Sequence, residues 1–158
     1  MSHVTKIEMP DTLADLKALA AGCKRLGLEL MTGQTKFKWY GQHVGDYPLP
    51  ELPGYTKEEV LEKLSAGRCE HAIRDPKNPG AYEIALWERK DGKGYHVIYD
   101  FWSGGRGMSE AVGFDGKKCR KLSDAYKIAQ VKRRAMRAGQ RVVETKTKDG
   151  RVQLEIHA

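Results

Sequence analysis

Between Lys117 and Arg141 the chain carries ten Lys and Arg residues, at positions 117, 118, 120, 121, 127, 132, 133, 134, 137 and 141, against the single acid Asp124. The full 158 residues carry a net charge of +7, so this stretch holds the entire positive excess and the remainder is slightly acidic. Cations gathered in this way suit an acidic partner met by one face, because evenly spread charge produces no directed field. At helical periodicity Gln130, Arg133, Arg134, Arg137 and the following Arg141 fall opposite an apolar stripe of Ala125, Ile128, Val131, Ala135 and Ala138. Lys127 and the preceding Lys117, Lys118, Arg120 and Lys121 enlarge the same positive region. Like charges three and four residues apart on a helix repel by about 0.2–0.5 kcal/mol per pair, a standing cost that an anion relieves. The same letters also describe a solvated helix face, with cations placed well near a helix C-terminus. Nothing in the stretch reads bases, since recognition-helix, zinc-finger and ribonucleoprotein signatures are missing, so contact with nucleic acid would run through its backbone.

Three other groups of residues have types that can do chemistry. Tyr99-Asp100-Phe101-Trp102 leads into Gly104, Gly105, Arg106 and Gly107, a glycine loop able to turn backbone N–H groups toward an anion, while Arg106 could alternatively pair with Asp100. It lacks the Gly-Lys-Ser/Thr continuation of a phosphate-binding P-loop. Cys69 and His71 stand two apart, which on a strand places them on one face as a thiol and base pair or half of a metal site. The other candidate ligands, His43, Cys119 and His157, show no metal-ligand spacing, so no metal and no cofactor are expected. Lys36, Lys38, Trp39 and Tyr40 interleave cations with rings, a pattern that either stacks single-stranded bases or buries Phe37 and Trp39 from a strand. Glu58, Glu59 and Glu62 read as exposed on a short helix and form no acid and base pair.

The elements that must position these groups are legible in outline. Val4 to Met9 reads as a strand, and Pro10-Asp11-Thr12 supplies turn and cap chemistry before a helix with Leu16, Leu19, Cys23 and Leu26 on one side, closed by Gly27. Leu28 to Met31 and Lys36 to Tyr40 are predicted to form a hairpin around Gly33. Gly41 to Tyr55, holding three prolines, reads as an irregular surface loop. Thr56 and Glu59 make a capping box for a short helix ended by Gly67. Cys69 to Arg74 follows as a strand, then the hairpin of Ala81 to Lys90 with Tyr95 to Trp102 around Asp91-Gly92-Lys93-Gly94. A long basic helix is predicted over 123–139 with Ser123 as its cap, and a last hairpin over 141–156 turns at Asp149-Gly150. This order predicts an α+β fold in one domain over 1–158, an antiparallel sheet built from hairpins with two main helices packed on one face, and a ferredoxin-like kernel is among the arrangements it allows.

The totals agree with that reading. Hydrophobic residues make up 40% and charged residues 31%, as in ordinary globular chains, and no apolar run is long enough for a bilayer span. The first residues lack the pattern of a secretory signal, and three widely spaced cysteines fit free thiols in a reducing, cytoplasmic setting.

Met1-Ser2-His3 before a strand and helix, the Tyr99-Asp100-Phe101-Trp102 to glycine stretch, and the hairpin from Ala138-Gly139-Gln140-Arg141-Val142 to Asp149-Gly150-Arg151-Val152 resemble a family of plastid and cyanobacterial conserved reading frames. The order and spacing are similar over nearly the whole chain. The proline-rich 41–55 insert, the Thr56 to Gly67 helix and the more basic last helix look more like its phage-type branch. The family brings no established catalytic residues. The resemblance implies one small α+β domain in a bacterial, viral or plastid setting. It also implies an accessory protein acting on nucleic acid, or one that binds and modulates a host protein or an ATPase machine.

Taken together, the expectation is a non-enzymatic binding module that uses Arg133, Arg134, Arg137 and Arg141, helped by Lys117, Lys118, Arg120, Lys121 and Lys127, against an acidic macromolecule, nucleic acid first. The rival is a protein-interaction factor working through the 41–55 loop or a hairpin edge. The third reading is an enzyme with a loop-borne site around Asp100, Arg106 or the Cys69 and His71 pair.

Overall fold

The computed structural model describes residues 2–158. Strand β1 (Val4–Ile7) leads through a short turn to helix α1 (Leu16–Arg25), strand β2 (Glu29–Thr32), helix α2 (Lys57–Ser65) and strands β3 (His71–Arg74), β4 (Ile84–Glu88) and β5 (Tyr95–Asp100). Helix α3 (Met108–Val112), the small hairpin β6 (Phe114–Asp115) and β7 (Lys118–Cys119), helix α4 (Arg120–Arg137) and the hairpin β8 (Arg141–Lys146) and β9 (Val152–His157) complete the chain. The fold is α+β, as the order of elements predicts.

Five strands form one sheet in the order β1-β5-β4-β3-β2 with every neighbouring pair antiparallel. β1 and β2 therefore run parallel to each other at opposite edges, joined through α1, and the β3–β4–β5 meander fills the space between them. A ferredoxin-like kernel has a single strand in that gap, so the possible kernel is corrected to this wider arrangement.

The central strands are covered on both sides, which is why Ile84 to Trp87 and His96 to Asp100 are buried without alternation. On one face α1, α3 and α4 enclose Leu19, Cys23, Ile84, Leu86, Val97, Tyr99, Leu122 and Tyr126. On the other, α2 and the proline-rich loop enclose Phe37, Trp39, Leu52, Val60, Leu64, Cys69, Trp87 and Ile98. The two main helices, α1 and α4, share one face as expected. They approach closely at Gly22, where a Cβ would lie 3.0 Å from backbone atoms of Ala125 and Tyr126.

Local signals account for most boundaries. Asp15 caps α1 by accepting the Ala18 N–H at 3.0 Å, and Gly27 follows with φ 75°. Thr56 and Glu59 make the reciprocal capping box of α2. Two expectations are corrected. Lys36 to Tyr40 is no hairpin arm: β2 pairs with β3, Phe37 N–H donates to Gly67 O, and Phe37 and Trp39 are buried beneath α2. Helix α4 begins three residues before Ser123, because β7 ends at buried Cys119 and Arg120 N–H donates to Gly113 O. The terminal hairpin forms its own two-stranded sheet. Val152 and Leu154 turn half inward, but Ile156 is 51% exposed.

Candidate functional site

The face of α4 that packs on the domain carries Leu122, Ala125, Tyr126, Ala129, Gln130 and Ala135. Ala125 and Ala135 of the predicted stripe are buried as expected, but Ile128 and Val131 are only half-buried and Ala138 is exposed, which corrects the predicted helix phase. Gln130, placed on the solvent ridge by the sequence pattern, is buried and donates to Asp11 Oδ2 at 3.0 Å and Tyr126 Oη at 3.1 Å. Arg133 lies beside it with Nε 3.5 Å from Asp15 Oδ2, an ion pair whose N–H is not aimed well enough for a hydrogen bond. Arg134 reaches Asp11 at 4.0 Å. Burial alone would raise the Asp15 carboxyl, but the Ala18 N–H and the charges of Arg133 and Arg137 hold it below the ordinary carboxylate value. On the opposite flank Lys132 and Arg25 both hold Glu144 of β8, whose carboxyl their hydrogen bonds pull down to about 2.

The rest of the basic segment is different. Among the described residues Lys117, Lys118, Arg120, Lys121, Lys127, Arg137 and Arg141 have no carboxylate within ion-pairing distance. All seven are exposed. Lys117 occupies the β6–β7 turn with φ 69°, and its carbonyl accepts the Glu8 N–H, which fixes the turn against the end of β1. Lys121 donates to the Glu110 carbonyl. Lys118, Arg120 and Lys127 line a shallow groove of about 370 Å³ together with Glu8 and Asp124. The start of α4 has no side-chain cap and no acid in its first turn. Four cations, Lys117, Lys118, Arg120 and Lys121, thus crowd the positive end of a helix dipole, a placement that costs about 0.3–1 kcal/mol for each charge near the terminus.

The other candidate groups are held for structural reasons. Asp100 is buried and its carboxylate accepts the backbone N–H groups of His3 at 2.9 Å, Tyr40 at 3.1 Å and Trp102 at 3.1 Å. It does not pair with Arg106, which stacks on the Tyr82 ring at 5.7 Å. Gly104, Gly105, Arg106 and Gly107 continue a left-handed turn begun at Ser103, with φ from 53° to 63° over Ser103–Arg106. Carbonyls of that turn are occupied: Gly105 O accepts from Tyr82 N–H and Arg106 O from Asn78 Nδ2. Gly105 is obligatory there, since a Cβ would fall 2.0 Å from the Tyr99 hydroxyl.

Cys69 and His71 do not come together. Cys69 packs under α2 with its thiol donating to Gln34 O, whereas His71 pairs in register with Leu86 on the opposite sheet face and contacts Tyr95 Oη at 3.2 Å. Burial pushes the thiols of Cys23, Cys69 and Cys119 up to about 12, so they are held as protonated core residues. Among the described residues no group of three or more His, Cys, Asp or Glu is placed to hold a metal, and no helix is long and apolar enough to cross a membrane.

Sequence reasoning passed over a cleft of about 760 Å³ between α2 and the end of β4. Two ion pairs stand in it: Lys63 binds Glu70 at 2.6 Å beside the Trp87 ring, and Lys90 binds Glu59 at 3.0 Å over Tyr55. Lys36, Glu59, Glu62 and Cys69 line it, but their positions in the sequence did not show that they meet. Comparison with family models, curated proteins and solved structures returns no match.

Proposed function

We propose that this chain is a non-enzymatic binding module that presents the unneutralised cations around the β6–β7 turn and the start of α4 to an acidic macromolecule, nucleic acid first, in a cytoplasmic setting. One observation carries the reading: Lys117, Lys118, Arg120 and Lys121 gather without carboxylate partners at the positive end of an 18-residue helix that has no acidic first turn. An anion at that end relieves both the mutual repulsion and the dipole cost, so the arrangement favours phosphate more than solvent alone. The working centre therefore shifts from Arg133 and Arg134, which Asp15 and Asp11 engage, toward Lys118, Arg120 and Lys127.

The test is fluorescence anisotropy of labelled duplex DNA, single-stranded DNA and RNA across a salt series, with the double variant R120E/K127E as control. Wild-type affinity should fall steeply with salt, and the variant should bind at least about 10-fold more weakly, because each lost phosphate contact also flattens the salt slope by about one. Its thermal stability should stay within about 0.5 kcal/mol of wild type, as expected of exposed charges without partners. Salt-independent or undetectable binding of all three probes overturns the reading.

A second reading, a partner protein such as a host factor or ATPase subunit, is favoured by the terminal hairpin. Both outer edges of β8 and β9 are unpaired among the described residues, and exposed Met136 and Ile156 lie on α4 and β9. That mode of binding tolerates salt.

A further inference from the structure

The terminal hairpin ends in a strand whose outer side is open. β8 is the strand that packs against α4, and its Glu144 binds Arg25 and Lys132, which leaves β9 as the outer strand. The register runs from Arg141 opposite His157 to Lys146 opposite Val152, and beyond it Thr147 N–H donates to Arg151 O at 2.8 Å. Hydrogen-bonded and non-bonded pairs alternate along an antiparallel ladder, so Arg151, Gln153, Glu155 and His157 turn their main-chain groups toward β8. Val152, Leu154 and Ile156 therefore turn theirs to the open edge.

Edge strands ordinarily carry devices against further pairing, such as brevity, lysine, proline or a bulge. β1 and β2, at the edges of the five-stranded sheet, are four residues each. β9 has six residues, no lysine and no proline, and its register against β8 is unbroken. Its letters are also self-complementary. Paired antiparallel with its own copy about a two-fold axis at Leu154, it sets Val152 opposite Ile156, Leu154 opposite Leu154 and Gln153 opposite Glu155. Every residue facing the edge then meets another that faces it, and no carboxylate is set against a carboxylate. A two-fold at Glu155 would oppose two carboxylates. One at Gln153 would leave Ile156 over Gly150 and would set Glu155 against Arg151, whose Nε is already 3.2 Å from Asp149.

We infer that β9 binds a second copy of this chain, joining two hairpins into one four-stranded sheet of order β8-β9-β9-β8 about a two-fold axis at Leu154. Val152, Leu154 and Ile156 of each copy exchange main-chain bonds with the same three residues of the other. Their side chains form one apolar row in which Ile156, 51% exposed in the single chain, is covered by Val152 of its mate. Positions 145–151 are all exposed, so the arriving strand meets open chain at the turn end. The inference is independent of the nucleic-acid reading, and it assigns the open edge to self-association in place of a foreign protein.

The experiment is sedimentation equilibrium of the full chain without nucleic acid, over a broad concentration range. The 17.8 kDa monomer should pass to a species of twice that mass as concentration rises. Leu154→Pro removes an N–H that the hairpin does not use, a position where an edge strand tolerates proline. It should weaken the dimer at least about 10-fold while the domain still unfolds cooperatively. Ile156→Lys leaves the backbone untouched and should act in the same direction by setting a charge against Val152 of the mate. Mild oxidation should cross-link Leu154→Cys, whose opposed Cα atoms stand about 5.5 Å apart, but not Gln153→Cys, set more than about 7 Å from its copy. The three native cysteines are buried and do not interfere. A monomer at every concentration overturns the inference and returns the edge to a foreign strand. A dimer that both Leu154→Pro and Ile156→Lys leave intact overturns it too, because the contact then lies elsewhere.

Discussion

Lys132, Arg133 and Arg134, in the second half of α4, each lie within 4.0 Å of a carboxylate, whereas Lys117, Lys118, Arg120 and Lys121 at its start have none. The residue types are the same and the local density of charge is similar. What differs is the neighbour that the fold supplies: the Asp11 to Asp15 turn before α1 and Glu144 of β8 reach the later cations, while among the described residues Glu8, Asp115 and Asp124 stand near the first four without coming within ion-pairing distance. A count of cations in the sequence therefore measures two things at once, charge used to dock a helix and charge left for a partner.

The comparison depends on where α4 lies, so its harshest test is at Gly22. Valine there would drive its side chain into the backbone of Ala125 and Tyr126, and should lower stability by about 2–3 kcal/mol, read from urea unfolding. Wild-type stability would mean that α1 and α4 do not meet at this point.

Next in size is the pair Arg133→Ala and Arg137→Ala. The first leaves partly buried Asp15 without its cation and should cost about 1–2 kcal/mol; the second removes an exposed side chain with no ion pair and should stay within about 0.5 kcal/mol. Equal effects would erase the distinction between the two classes of cation.

The smallest effect is expected at Glu144. Its folded carboxyl titrates near 2 against an ordinary value of 4.5, so its contribution is complete above about pH 4.5 and is lost as pH falls toward 2. Partial solvation limits the loss to about 1 kcal/mol. Glu144→Gln should flatten the pH dependence of unfolding over that range, and an unchanged slope would show that the hairpin is not held by this bridge.

Much of the fold was legible because its signals are local. The Thr56 and Glu59 box, Gly27 after α1, and the Asp91–Gly94 and Asp149-Gly150 turns each specify their own element. The pairing of β2 with β3 was not legible, since register between distant strands depends on which face of Phe37 and Trp39 is covered, and α2 supplies that cover. The basic segment was visible as a charge excess, but the division of its cations was not: it requires knowing that Gln130 bonds Asp11 and that Arg133 meets Asp15, contacts spanning more than a hundred residues.

The Asp100 clamp also sets an order of events during synthesis. His3 and Asp100 are 97 positions apart, and β1 has its principal partner in β5, at the far end of the meander. At roughly 5–20 residues per second, about 5–20 s pass between the appearance of β1 and that of the carboxylate that anchors it. During this interval β1 has no native seat, so the leading segment of the growing chain is the part most in need of shielding from other strands.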